Sequence, residues 1–372
     1  MKFLKLPLVS FNSKGEICAS DRSPPLDNLY SAFGNRIALN DWCNSNLIFQ
    51  TNNSVGIENF YNEVPWCELM GFADAKYFWG NECIKKVIKR GDRKYGTCPL
   101  VYGNYLYQDK MPKFSSRYQT VFMPKRDNTF KTWLSEDSEK ISDFVSELEK
   151  LNLNNPIYIS FYEDYPYYMN NYPKSIMDHM YCVGYIGFDV DWIVTLLQLL
   201  KMSDVVYCNG LTSSAVYASF LKKPIKFYKQ NIIFKPEVPE DFRKYVSDEK
   251  FESEKIISQR YTVAWEAKSK EWINFMKYIQ DVFENDLEDK DYWITNFLSL
   301  DKIKPPEELY DILLTLHKRY CILSKDPKTY ANVEVTPFIK SHDLFDQAKE
   351  DCNSFIKKSL PSKLAKKYYD EL

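Results

Sequence analysis

Two adjacent serines, Ser213 and Ser214, close a small polar run that begins at Asn209 and includes Gly210 and Thr212. Ahead of the run, Val205, Val206 and Tyr207 make a short apolar stretch with β-branched residues, the pattern of a buried strand. Behind it, Ala215 to Leu221 reads as a short helix halted before Pro224. A turn between the carboxyl end of a strand and the amino end of a helix offers unpaired N–H groups at the positive end of the helix dipole. Open parallel sheets place ligands at such turns, and an anion is favoured there. Two hydroxyls at Ser213 and Ser214 suit a phosphate group, and Thr212 and Asn209 can add hydrogen bonds to its carrier. The competing reading is a capped helix in an ordinary α/β domain, since Ser and Thr caps are common.

Other residues that could do chemistry fall at corresponding places. Lys125 and Arg126 follow an apolar strand at Tyr118 to Pro124 and could contact a nucleotide or its phosphate; a solvated loop pair is the alternative. Glu163 and Asp164 follow a second strand, Ile157 to Tyr162, where a carboxylate could act as base or nucleophile, or bind ribose hydroxyls. Asp189 and Asp191 precede a strongly apolar helix, DVDWIVTLLQLLKM, and Asp189 is either a catalytic acid group or that helix's N-cap. Tyr217 reads as core, and His179 as a lone surface or core histidine.

These positions require a scaffold, and the chain from Tyr118 to about 235 supplies a regular one. Strand and amphipathic helix alternate there without hairpin turns; the helix at Ser138 to Leu151 sets Ile141, Phe144, Val145 and Leu148 on one face. That alternation predicts a parallel, wound α/β domain over 116–235. Residues 1–115 read as a decorated α/β domain rich in aromatics, with short strands expected at Phe3 to Val9, Ile37 to Leu39 and Leu47 to Phe49, and a helix over Asn81 to Arg90. Beyond Pro236 the chain turns to charged and aromatic helices, predicting a helical extension over 236–372. Its end, SFIKKSLPSKLAKKYY, holds five lysines and several apolar residues. A solvated helical end and a basic amphipathic patch touching anionic lipid are both open readings.

Composition removes several function classes. The 372 residues carry 49 basic and 51 acidic side chains, a net charge of −2, which does not suggest a nucleic-acid partner. Only 11 glycines occur, and neither GxGxxG nor GxxxxGK[ST] is present, so Gly-rich dinucleotide or P-loop chemistry is disfavoured. Nine cysteines are scattered without a CxxC, as in a reduced cytoplasmic protein. Three distant histidines offer no metal-ligand spacing, so no metal cofactor is expected. The first residues, MKFLKLPLVSF, hold too short an apolar run for a signal peptide, and no transmembrane-length apolar stretch follows.

The run CVGYIGFDVDWIVTLLQLLKMSDVVYCNGLTSSAVYASFLKKPI resembles the donor-binding half of GT-B glycosyltransferases. It is most similar in style to the sialyltransferase-like and Kdo-transferase-like enzymes of bacterial surface polysaccharide synthesis. The likeness rests on Gly187, Asp189, Ser203–Asp204, Ser213–Ser214, Tyr217–Ala218 and Lys223–Pro224, in that order and spacing. The CDP-glycerol polymerases of teichoic acid synthesis end a similar unit with a Ser-Ser pair, so the motif alone does not select the donor. Two departures stand out: Thr212–Ser213 replaces a common Gly-Thr, and there is no His-Pro motif.

The resemblance implies a GT-B fold of two Rossmann-like α/β domains. It also implies a nucleotide-sugar donor, CMP-linked Kdo or sialic acid, and a glycan or glycolipid acceptor in capsule or lipopolysaccharide synthesis. It ranks Asp164, Asp189 and Glu163 as catalytic, and Ser213, Ser214, Thr212, Asn209, Lys125 and Arg126 as donor-binding, with no essential metal. A cytoplasmic location follows, with peripheral contact at the inner membrane face through the basic tail as its variant. The competing functions are a CDP-glycerol-type phosphotransferase, a nucleotide-sugar epimerase, and a non-catalytic glycan-binding or scaffold relative.

Overall fold

The computed structural model describes residues 6–20, 35–47, 99–111, 113, 117–123, 141–162, 164–184, 189, 191–208, 213–228, 270–298, 300–323 and 344–371. At their centre is a seven-stranded sheet. Its first two strands, β1 (Leu8–Phe11) and β2 (Ile17–Ser20), form an antiparallel hairpin. The turn is locally specified: Asn12 Oδ1 accepts the N–H groups of Lys14 and Glu16, and Gly15 supplies the positive φ of 74° that the reversal requires. The strand expected at Phe3 to Val9 therefore lies further along, and its hairpin partner carried no sequence signal strong enough to be read.

The remaining strands are β3 (Tyr118–Phe122), β4 (Pro156–Ser160), β5 (Met180–Cys182), β6 (Ser203–Cys208) and β7 (Ile225–Phe227). Across the sheet the order is β2-β1-β5-β4-β3-β6-β7, and every pairing except β1 with β2 is parallel. From β5 to β7 this is the order of the doubly wound α/β folds, with two strands laid down to one side of β3 and two to the other. The segments 1–115 and 116–235 both contribute strands to this one sheet.

Alternate residues of each strand serve opposite faces, as the two-residue period demands. On one face Val121, Tyr158 and Tyr207 pack with Leu148 of α3 (Ile141–Lys150), and with residues of α4 (Tyr165–Asn171) and α5 (Lys174–Met177). On the other, Phe122, Ile157, Ile159 and Val206 pack in the cluster that holds α6 (Trp192–Met202) and α7 (Ser213–Phe220). Both faces of the sheet are thus covered, which is why its strands read as apolar runs rather than as clean alternation.

The same core takes in α1 (Asn35–Trp42) and α2 (Pro99–Leu106). Ile37 to Leu39, expected as a strand, belongs to α1. Ala38, Leu39 and Trp42 are all fully buried at helical spacing, and Asn40 bonds the Arg36 carbonyl four residues back and the Leu47 carbonyl ahead. A three-residue apolar run does not by itself distinguish the two periods. Leu47 follows in irregular chain, and the helix expected over Asn81 to Arg90 lies outside the described residues.

Beyond 236, five helices are described: α8 (Lys270–Glu284), α9 (Lys290–Leu298), α10 (Pro306–Leu323), α11 (Leu344–Lys358) and α12 (Lys363–Glu371). They pack back on both earlier segments. Tyr105 on α2 donates to Asp351 on α11 at 2.6 Å, and Phe220 on α7 stacks on Phe355 at 5.5 Å. No helix among the described residues is long and apolar enough to cross a membrane.

Candidate functional site

Because β3 and β6 are neighbours while their connections leave to opposite sides, the sheet has a topological switch point between them. Open α/β sheets bind ligands in the crevice outside the carboxyl ends of such a pair. The two strand ends are fastened to each other. Tyr228, just past β7, sends its buried hydroxyl across β6 to the Phe122 carbonyl at 2.6 Å, and its N–H bonds the Cys208 carbonyl at 3.0 Å. Met123 N–H bonds the Ile159 carbonyl at 2.8 Å. In the sequence Tyr228 reads, with Ile225 and Phe227, as the start of a strand; it falls just past β7, and its reach over two strands is a tertiary fact.

Of the predicted site residues, Ser213, Ser214, Asp164 and Asp189 lie among the described residues. Ser213 is the first residue of α7, five positions beyond the end of β6, and Ser214, the next, is half-buried. Thr212 and Asn209 in the same connection, Lys125 and Arg126 after β3, and Glu163 after β4 lie outside the described residues. Asp164 follows β4 and occupies the N-cap position of α4, where its carbonyl accepts the N–H groups of Tyr167 and Tyr168. Asp189 follows β5. With strands about 4.8 Å apart, β4 stands roughly 10 Å and β5 roughly 14 Å from β6.

Both aspartates are buried, Asp164 to 1% and Asp189 to 0% exposure. The N-cap of α6 is Asp191, not Asp189, and Asp191 makes no capping bond with its side chain. Asp189 instead accepts the Asp191 N–H on Oδ1 at 3.0 Å, bending the chain into the helix. Its Oδ2 fills the space beside Gly184, where a Cβ would stand 2.5 Å from it. Neither carboxylate offers surface to a ligand, and Asp189 has a structural task in the turn.

Three residues of the sequence motif also prove to be scaffold. Tyr217 and Ala218 are in the core, as expected of Tyr217. Lys223 precedes β7, at the amino edge of the sheet, and donates to the Lys201 carbonyl at 2.6 Å. Burial, and then the Arg117 guanidinium nearby, holds its ammonium below the usual lysine range.

A cleft of about 510 Å³ opens beside β1 and the first turns of α6. Ser10, Lys110, Asp191 and Thr195 line it, and Gln198 in its wall donates to the Lys110 carbonyl at 2.9 Å. It shares the carboxyl edge with the switch point, because β1 runs parallel to β5. Nothing in the sequence marked it, since its walls come from three distant segments. No group of three or more His, Cys, Asp or Glu that could hold a metal ion occurs among the described residues. The five cysteines whose side chains are described, Cys18, Cys43, Cys182, Cys208 and Cys352, are free thiols.

No family model, curated protein or solved structure matches the chain.

Proposed function

We infer that the protein is a glycosyltransferase that moves a sugar from a nucleotide-activated donor to a glycan or glycolipid acceptor. The observation that carries this reading is the strand order, which makes β3 and β6 neighbours with diverging connections. The phosphate-suited run 209–214 and the pair Lys125–Arg126 therefore follow, in sequence, the two strands at the switch point. The resemblance of the stretch from Cys182 to Ile225 favours a CMP-linked acidic sugar, Kdo or sialic acid, and a GT-B arrangement belongs to the same proposal.

In the proposed step the acceptor hydroxyl attacks the anomeric carbon and gives its proton to the Glu163 carboxylate, the remaining catalytic candidate, while the bond from that carbon to the phosphate oxygen breaks and its electrons leave with the phosphate. Negative charge builds on the departing phosphate. The amides at the start of α7 and the hydroxyls of Ser213 and Ser214 stabilise it more in the transition state than in the ground state. Asp164 and Asp189 act in this scheme by shaping the edge, not by touching the sugar.

The test is nucleotide binding followed by donor turnover. CMP should raise the melting temperature where UDP and GDP do not; a hundredfold excess over Kd stabilises by about 2.7 kcal/mol. Ser213→Ala and Ser214→Ala should each lower CMP release from CMP-Kdo or CMP-sialic acid while the apo melting temperature stays put. Full turnover in both single variants and in the double variant would remove the serines from the mechanism. CMP release from CDP-glycerol would indicate the phosphotransferase. An altered nucleotide sugar formed without acceptor would indicate an epimerase, and no nucleotide response at all a binding or scaffold protein.

A further inference from the structure

A second surface, away from the carboxyl edge, has the makings of a partner site. Among the described residues four large apolar side chains are exposed, and three of them, Leu287, Leu360 and Leu364, belong to one region. Leu287 lies between α8 and α9, Leu360 lies in the link between α11 and α12, and Leu364 is on α12. Leu287 and Leu364 line a groove of about 940 Å³. Leu360, 83% exposed, stands as a knob two residues before the groove-lining Ser362. Clustered exposed apolar surface on a folded protein marks an interaction site more often than scattered residues do.

The groove's two walls carry opposite charge. Asp281 and Glu288 line the α8 side, and Lys277 is the one cation lining that wall; exposed Asp286 nearby is paired with Lys290 at 3.0 Å. Lys363 lines the α12 side, and from Lys357 to Lys367 there are five exposed lysines and no acid. Although they share a groove, Asp281, Glu288 and Lys363 form no salt bridge with one another or with any other described residue. The walls themselves are rigidly held. Buried Asp289, just before α9, accepts Tyr278 Oη at 2.5 Å, Ser362 N–H at 2.8 Å and Ser362 Oγ at 2.6 Å, and Tyr368 stacks on Tyr278 at 4.8 Å.

An apolar centre flanked by one acidic and one basic wall is complementary to itself after a half-turn. We propose that this face is a two-fold contact between two copies of the chain, with Leu360 of each copy seated in the groove of the other. The lysine-rich link then meets the acidic α8 wall on both sides of the axis, as an isologous interface requires. An anionic bilayer fits the lysines but is repelled by Asp281 and Glu288 in the same groove, so the two-signed surface favours a second copy.

Sedimentation velocity on the full chain over a wide concentration range tests this. The wild type should pass from monomer to dimer, and Leu360→Asp should weaken the dimer by about tenfold or more, as loss of a central apolar anchor does. The pair Lys363→Glu with Lys366→Glu should weaken it too, and so should Asp281→Lys with Glu288→Lys. All these positions are exposed, and an unchanged thermal melt of each monomer verifies folding. Mixing the two charge-reversed proteins should restore wild-type affinity, because each basic wall again meets an acidic one. A wild type that stays monomeric overturns the proposal, and binding of that monomer to phosphatidylserine vesicles would reassign the face to lipid. A dimer indifferent to every variant, or a mixture that stays weak, overturns it as well.

Discussion

Gly184→Ala probes how the carboxyl edge is built. A Cβ at this position would lie 2.5 Å from Asp189 Oδ2, 3.1 Å from its Cγ and 3.3 Å from the Trp192 ring. An ordinary contact is 3.4 Å or more, so the carboxylate must retreat by roughly 0.9 Å. It is poorly placed to do so, being fully buried and held by the Asp191 N–H at 3.0 Å. Retreat stretches that charge-assisted bond beyond useful length, at about 1.5–3 kcal/mol. Overpacking against Trp192 adds about 1–3 kcal/mol, so the substitution should destabilise by about 2.5–6 kcal/mol. Urea unfolding followed by fluorescence measures this as a lower midpoint at constant slope. Asp189→Ala removes the two carboxylate contacts and leaves the one to Trp192, so adding Gly184→Ala to that background should cost only the overpacking share, about 1–3 kcal/mol, a clear non-additivity. Equal cost in both backgrounds, or a Gly184→Ala protein as stable as wild type, would refute the reasoning.

Asp289→Ala strips three hydrogen bonds from one buried carboxylate and leaves Tyr278 and Ser362 without their acceptor. A loss of about 3 kcal/mol or more is expected, with faster amide hydrogen exchange concentrated in α12; unchanged exchange there would show that Asp289 does not hold the helix. Alkaline pH should also unfold the protein. Burial, and then the neighbouring Asp351 carboxylate, pushes the Cys352 thiol from the ordinary 9.0 up to about 12. Its folded form therefore keeps a proton that the unfolded chain releases from about pH 9, so stability is intact below that pH and falls as pH rises towards 12. Tyr105, Tyr107 and Tyr278 are displaced upward as well, chiefly by burial, and add to the loss. Thermal melts between pH 8 and 12 should show this decline, with a shallower slope in Cys352→Ala; a flat profile would contradict it.

How much could be read in advance depended on the length of each apolar pattern. From Tyr118 to Phe227 the strands are covered on both faces, so each appears as a continuous run bounded by polar turns. Apart from α4, which the sequence did not announce, elements there are displaced by only a few residues from where the sequence puts them: the helix expected from Asp189 begins at Trp192, and the strand at Ile157 to Tyr162 ends at Ser160. Short, one-sided patterns misled. Ile37 to Leu39 is helical because Trp42 completes its buried face one turn later, and β2 was invisible because none of its four residues is buried. The buried aspartates are the sharper lesson. Acidic letters after a strand look like chemistry, but whether a carboxylate faces solvent or fastens its own turn depends on what packs around it. Here that is Gly184 for Asp189.

By itself the sequence determined the alternation of strand and helix, the chemical character of the 209–214 run and the basic character of the last helix, because these follow from local period and side-chain type. Strand order was decided only in the folded chain. The choice to lay β6 against β3 rather than beside β5, and to bring β1 in from the amino terminus, depends on long-range backbone pairing and on which helices cover which face. No window of residues encodes such pairings, yet they make one edge of the sheet a place where separate segments can meet.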